Sequence, residues 1–75
     1  MRDAILEILY EIRPDIDFEK ETNLVTGGLL ASFDIIAIVD ALSTEFDVTI
    51  RPKDLIAENF DSIDGLENLI KRKMG

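Results

Sequence analysis

The positions of apolar residues at helical spacing predict helices and no β-strand ladder. The first such stretch predicts a helix over residues 3–13, with one apolar stripe formed by Ile5, Ile8, Leu9 and Ile12. Pro14 should end this helix, because proline lacks an N–H donor and disfavours helical geometry at Arg13.

A second helix is predicted over residues 32–46, with its core face formed by Ile35, Ile38, Val39, Leu42 and Phe46. The connection before it, residues 14–31, is longer than most connections in compact domains. Its apolar side chains indicate that it is held against the core: Ile16, Phe18, Leu24, Val25, Leu29 and Leu30.

The remainder of the chain predicts two further helices. Pro52 opens a short third helix to about Glu58, with Leu55 and Ile56 turned inward. Ser62 caps a fourth helix to about residue 73, whose apolar stripe is Ile63, Leu66, Leu69 and Ile70. Residues 48–50 favour a strand by propensity, but a single strand has no partner, so we interpret them as a connector.

These elements predict an all-α fold: a small antiparallel four-helix bundle with three longer helices, one short helix and a long first loop, forming a single domain over residues 1–75. The longest purely apolar run, residues 35–39, is far too short to span a bilayer. With no targeting segment evident, we expect a soluble, cytoplasmic monomer.

Composition narrows the possible functions. The chain has 16 acidic and 8 basic residues, a net charge of −8, and neither histidine nor cysteine. An acidic chain lacks the cations that release counterions from phosphates, which argues against nucleic-acid binding. Without histidine or cysteine there is no Ser-His or Cys-His pair and no imidazole or thiolate metal ligand, so an enzyme is disfavoured and no catalytic residues are assigned.

Alternating acids in the first loop suggest a calcium loop at first sight, since Asp15, Asp17, Glu19 and Glu21 occupy every second position. Such a loop also needs glycine at its sixth position and glutamate at its twelfth, where this chain has Lys20 and Thr26. We therefore predict no metal site here.

Ser32 is the main candidate for chemistry. It either caps the second helix or is a modification site, because a helix N-terminus favours an attached phosphate. Beside it, the helix face opposite the core carries Phe33, Ile36, Ala37, Asp40 and Thr44. Large apolar residues on that face indicate either a docking surface or burial under the folded loop.

The segment from Gly28 to Asp34, Gly-Leu-Leu-Ala-Ser-Phe-Asp, resembles the attachment motif of acyl carrier proteins, usually Gly-x-x-Asp-Ser-Leu. Residues 50–55 and 58–63 are similar to that family's third helix and the entry to its fourth, so the resemblance covers essentially the whole chain. Ala31 departs from the motif's usual aspartate, and Ala37 stands where many relatives carry an acid.

This resemblance implies that Ser32 carries a 4′-phosphopantetheine arm, transferred from coenzyme A by a phosphopantetheinyl transferase. The arm would hold an acyl or aminoacyl group as a thioester and present it to ligases or synthases of fatty-acid, polyketide or related biosynthesis.

By the same resemblance, the partner-binding residues are Phe33, Asp34, Ile36, Ala37 and Asp40, with Glu45 adding charge. Partners would carry basic docking patches, attracted by the acidic chain. The alternative is an unmodified helical interaction or regulatory module that keeps the same fold.

Overall fold

All 75 residues are described by a computed structural model, which contains four α-helices, one 3₁₀ helix and no strand. Helix α1 spans Arg2–Ile12, α2 spans Ser32–Phe46, α3 spans Ala57–Phe60 and α4 spans Ile63–Met74; the 3₁₀ helix is Pro52–Asp54. The all-helical prediction is confirmed, as is the absence of strand at residues 48–50. None of the helices combines the length and apolar character needed to cross a bilayer.

Local sequence signals set most of the helix ends. Arg13, before Pro14, has φ −137° and ψ 83°, which is outside helical geometry, as the proline rule predicts. Directly after α2, the cap residue Asp47 adopts the left-handed conformation with φ 52°. The Ser62 hydroxyl caps α4 by accepting a hydrogen bond from the Gly65 amide at 3.1 Å.

The prediction of one continuous third helix is wrong. Residues 52–58 form a 3₁₀ turn followed by the separate start of α3, because Leu55 and Ile56 leave helical geometry. The Asp54 carbonyl accepts a hydrogen bond from the Asn59 side chain at 2.8 Å, so it does not need a helical amide partner. Leu55 and Ile56 are 46% and 49% exposed, contrary to their predicted inward orientation.

The hydrophobic core joins all four α-helices with the first loop, and α3 contributes Phe60. Every residue of the predicted α4 stripe is buried, while α1 and α2 bury the centres of their stripes and leave the edges partly exposed. The core members are Ile5, Leu9, Ile16, Phe18, Leu24, Leu30, Ile38, Leu42, Phe60, Ile63, Leu66, Leu69 and Ile70. The radius of gyration, 11.0 Å, is that of a folded chain of this length.

The long first loop is fastened to the core, as predicted. Phe18 and Leu24 are fully buried, and Tyr10 of α1 packs edge-on against Phe18 with ring centroids 5.3 Å apart. The Asp61 carboxylate accepts hydrogen bonds from the Val25 and Thr26 amides at 2.8 and 2.9 Å. Leu29 is the exception, because it is 37% exposed instead of packed inward.

Candidate functional site

Ser32 is the first residue of α2 and lies at the surface. The residue in the N-cap position is Ala31, and no side chain caps the helix by accepting a hydrogen bond. The interpretation of Ser32 as the cap is therefore wrong. Its hydroxyl sits at the end of the helix where free amides and the positive end of the dipole favour an anion.

An apolar cavity of about 310 Å³ opens beside Ser32. Apart from Ser32, every lining residue is hydrophobic, and the lining residues come from the first loop, α2, the segment between the 3₁₀ helix and α3, and α3 itself: Val25, Ser32, Ile35, Ile36, Leu55, Ile56, Ala57 and Phe60. We call this cavity the Ser32 cleft. An uncharged linker or an apolar cargo attached to Ser32 would contact hydrophobic side chains there.

The break in the predicted third helix helps to form this cleft. Leu55 and Ile56, which are not helical, line it together with Ile36 of α2. Sequence periodicity could not find this role, because it treated both residues as the inward face of a regular helix. The Asn59 side chain donates to the carbonyl of Asp54, directly before them, and helical periodicity does not predict this bond.

The docking face predicted on α2 is exposed in its apolar part. Phe33 is 80% exposed and Ile36 is 67% exposed, so the loop does not fold over them. Asp40 is exposed and Ala37 is half-buried. Asp40 also borders a second apolar cavity, of about 260 Å³, that shares Ile35, Ile36 and Leu55 with the Ser32 cleft.

Asp34 does not lie on this surface, contrary to the expectation that it offers charge to partners. It is 8% exposed, and its Oδ2 atom accepts hydrogen bonds from Arg13 at 2.8 Å and from the Ala31 amide at 3.0 Å. Glu45 is exposed, but it borders a small cavity with Glu7 and Glu11 of α1 and does not line the Ser32 cleft. Charge near Ser32 is therefore lower than the sequence suggested.

Arg13 is the residue that sequence reasoning missed. Its guanidinium bonds the Asp34 carboxylate, the Leu29 carbonyl at 3.1 Å and both carboxylate oxygens of Asp15 at 3.0 and 2.9 Å. The hydrogen bonds to Asp15 and Asp34 raise the pKa of Arg13 above its ordinary value, and the bond from Arg13 lowers the pKa of Asp15. Arg13 and Asp34 are 21 positions apart, so no short motif could reveal the pair.

The site has an accessible nucleophile-bearing side chain and an apolar cleft, but no neighbouring base. No three carboxylates are grouped closely enough to hold a metal ion. Such a site can receive a group transferred by another protein and present it.

No family model, curated protein or solved structure matches the chain.

Proposed function

We propose that this protein is an acyl-carrier-type protein, in which Ser32 receives a 4′-phosphopantetheine arm from coenzyme A. The observation that carries the proposal is the exposed Ser32 at the start of α2, at the mouth of an apolar cleft. The resemblance of residues 28–34 to the carrier attachment motif supplies the identity of the arm.

The residues around Ser32 suit such a group. The amides at the start of α2 favour the phosphate, and the cleft offers apolar surface to the linker or to its cargo. When attached, the arm supplies a terminal thiol that holds an acyl or aminoacyl group as a thioester. A thiol from this source is consistent with a chain that has no cysteine.

Attachment needs a separate transferase. The Ser32 oxygen would form a bond to the phosphorus of coenzyme A that carries pantetheine. The bond between this phosphorus and the bridging oxygen of the diphosphate would break, and adenosine bisphosphate would leave with that oxygen. The serine proton would pass to a base on the transferase, because the chain has no histidine and the site has no base of its own.

Phe33 and Ile36 form the exposed apolar part of the surface that we propose for partner enzymes, with Asp40 at its edge. A ligase or synthase that binds here needs an apolar contact as well as a basic one. Asp34 is omitted from this surface because it is buried and bonded within the chain.

The test is incubation of the apo protein with coenzyme A and a broad-specificity phosphopantetheinyl transferase, followed by intact-mass spectrometry. We expect a mass gain of one phosphopantetheine, lost in Ser32→Ala. Ser43→Ala is the matched control, since it removes another serine of α2 and should leave the gain intact. An unchanged wild-type mass, or a gain that persists in Ser32→Ala, would contradict the proposal.

One observation favours a second candidate, an interaction module that keeps the fold but is never modified. Ala31 stands where carrier proteins usually have aspartate, which removes a charge beside the attachment position. This candidate predicts unmodified Ser32 in protein isolated from its native host, together with a stable partner complex.

A further inference from the structure

We propose that Arg13 and Asp34 form a positioning pair that fixes residues 29–31 so that Ser32 is presented to its modifying enzyme. This inference rests on the proposed function. It assigns Asp34 to internal positioning rather than to charge recognition by a partner, and it gives Arg13 a functional role.

The pair holds the backbone directly before Ser32 at two points. Arg13 donates to the Leu29 carbonyl at 3.1 Å, and Asp34 accepts from the Ala31 amide at 3.0 Å. The two side chains are joined to each other at 2.8 Å, so both attachments form one continuous network from the end of α1 to the first turn of α2.

The segment has few other restraints. Ala31 has no side chain that could cap α2, and Gly28, just before the segment, has a φ of +77° that glycine adopts readily. Apart from the pair, the segment is held by the buried Leu30 side chain, by the bond from the Leu30 amide to the Leu24 carbonyl at 2.8 Å, and by the Ala31 carbonyl, which accepts from the Ile35 amide at 3.1 Å. Loss of the pair should therefore loosen the approach to Ser32 more than the rest of the fold.

Positioning and charge recognition predict opposite results for Arg13→Ala. If a basic transferase recognised the Asp34 carboxylate, removing Arg13 would free that charge and strengthen binding. If the pair positions Ser32, Arg13→Ala and Asp34→Asn should both slow modification, and the double variant should be no slower than either single one, because both remove the same charge-assisted bond between residues 13 and 34.

The experiment measures transferase kinetics on the purified apo protein, with coenzyme A as donor, for wild type, both single variants and the double variant. We expect kcat to fall about tenfold in each variant with little change in KM for the carrier, since binding is retained while the hydroxyl is misplaced. Amide hydrogen exchange on the same samples should show faster exchange at Ala31.

Arg2→Ala is the matched control. It removes another arginine that bonds two acids, Asp64 and Glu67 of α4, and it leaves the contacts of residues 29–34 in place. Arg2→Ala should lower the melting temperature without changing kcat for modification. If Arg13→Ala does not fold, kcat for modification of the near-isosteric Asp34→Asn still tests the positioning role.

The outcomes separate this inference from the proposed function. Equal modification rates for wild type and the variants would contradict the positioning role of the pair but not the carrier function. A raised KM in Asp34→Asn with a lowered KM in Arg13→Ala also overturns it, in favour of charge recognition. Wild-type protein that no transferase modifies overturns the carrier function and this inference with it.

Discussion

Ala31 shows how one residue at a helix end can leave a stabilising interaction incomplete. Its backbone has the extended conformation of an N-cap, with φ −89° and ψ 168°, and its amide already donates to Asp34 three residues later. That bond is half of a capping box. The other half, donated by the Asp34 amide to a side-chain oxygen at residue 31, is missing because alanine has no acceptor.

Ala31→Ser should complete this capping box and raise the free energy of unfolding by about 1 kcal/mol. Urea denaturation checks the value against wild type. Ala37→Ser is the control, since a serine in the interior of α2 has no free amide to cap and should give no gain. Equal effects at both positions would show that residue 31 does not act as a cap.

At the scale of elements, α3 and α4 approach each other too closely for an ordinary side chain at Gly65. A Cβ atom added there would lie 2.7 Å from the Glu58 carbonyl oxygen and 3.1 Å from that of Asn59. Helix propensity alone treats Gly65 as a weakness of α4, whereas the packing shows why glycine is needed there.

Gly65→Ala should therefore destabilise the protein, by about 1–3 kcal/mol, although alanine is the better helix former. Asn68→Ala, at an exposed position of the same helix, has no such contact and should be neutral or slightly stabilising. Chemical denaturation of the two variants measures the difference. A more stable Gly65→Ala would mean that α3 moves away from α4 at little cost.

The segment between the 3₁₀ helix and α3 gives a further test of element packing. Leu55 is 46% exposed and Leu66 of α4 is fully buried, so the same substitution should act differently. Leu66→Ala should cost about 2–5 kcal/mol of unfolding free energy, and Leu55→Ala less than about 1 kcal/mol. Similar losses at both positions would indicate that Leu55 is packed inward after all.

At the scale of the whole molecule, carboxylates join elements that are distant in sequence. Hydrogen bonds from the Thr26 amide, from Lys73 and from Arg2 lower the pKa values of Asp61, Asp54 and Glu67 respectively. These bonds tie the first loop to the end of α3, the 3₁₀ helix to α4, and α1 to α4.

A folded-state pKa below the unfolded value means that the native protein binds fewer protons. The stabilisation from these groups is complete above their unfolded values, near 3.8 for aspartate and 4.5 for glutamate, and is lost as pH falls through the lower folded values. Unfolding free energy measured in urea should therefore decline below about pH 4. Asp61→Asn should be less stable than wild type at neutral pH and should lose less on acidification, whereas parallel pH curves would contradict this.

The net charge of −8 produces repulsion in the compact state at neutral pH. Moderate NaCl or millimolar Mg²⁺ should therefore raise the melting temperature, because both screen carboxylates in excess over cations. Thermal unfolding at matched ionic strength checks whether the two salts act alike. A flat response to both would show that repulsion does not limit stability.

The sequence by itself determined the all-helical class, the extents of α1, α2 and α4, and the candidacy of Ser32. These features depend on periodicity, on Pro14 and Ser62 at helix ends, and on a contiguous motif, all of which act over a few residues. The same local rules placed Phe33 and Ile36 on the face of α2 opposite its core stripe but left burial under the first loop open, and the structure shows both side chains exposed.

Only the tertiary structure decided what surrounds Ser32. The burial of Asp34, its bond to Arg13 and the outward turn of Leu55 depend on contacts between residues that are distant in sequence or on a side chain that replaces a helical bond. From its position beside the motif, Asp34 is expected to be available to partners, but Arg13 from the end of α1 pairs with it. Local patterns do not predict this pairing, because it is set by how α1, the first loop and α2 pack together.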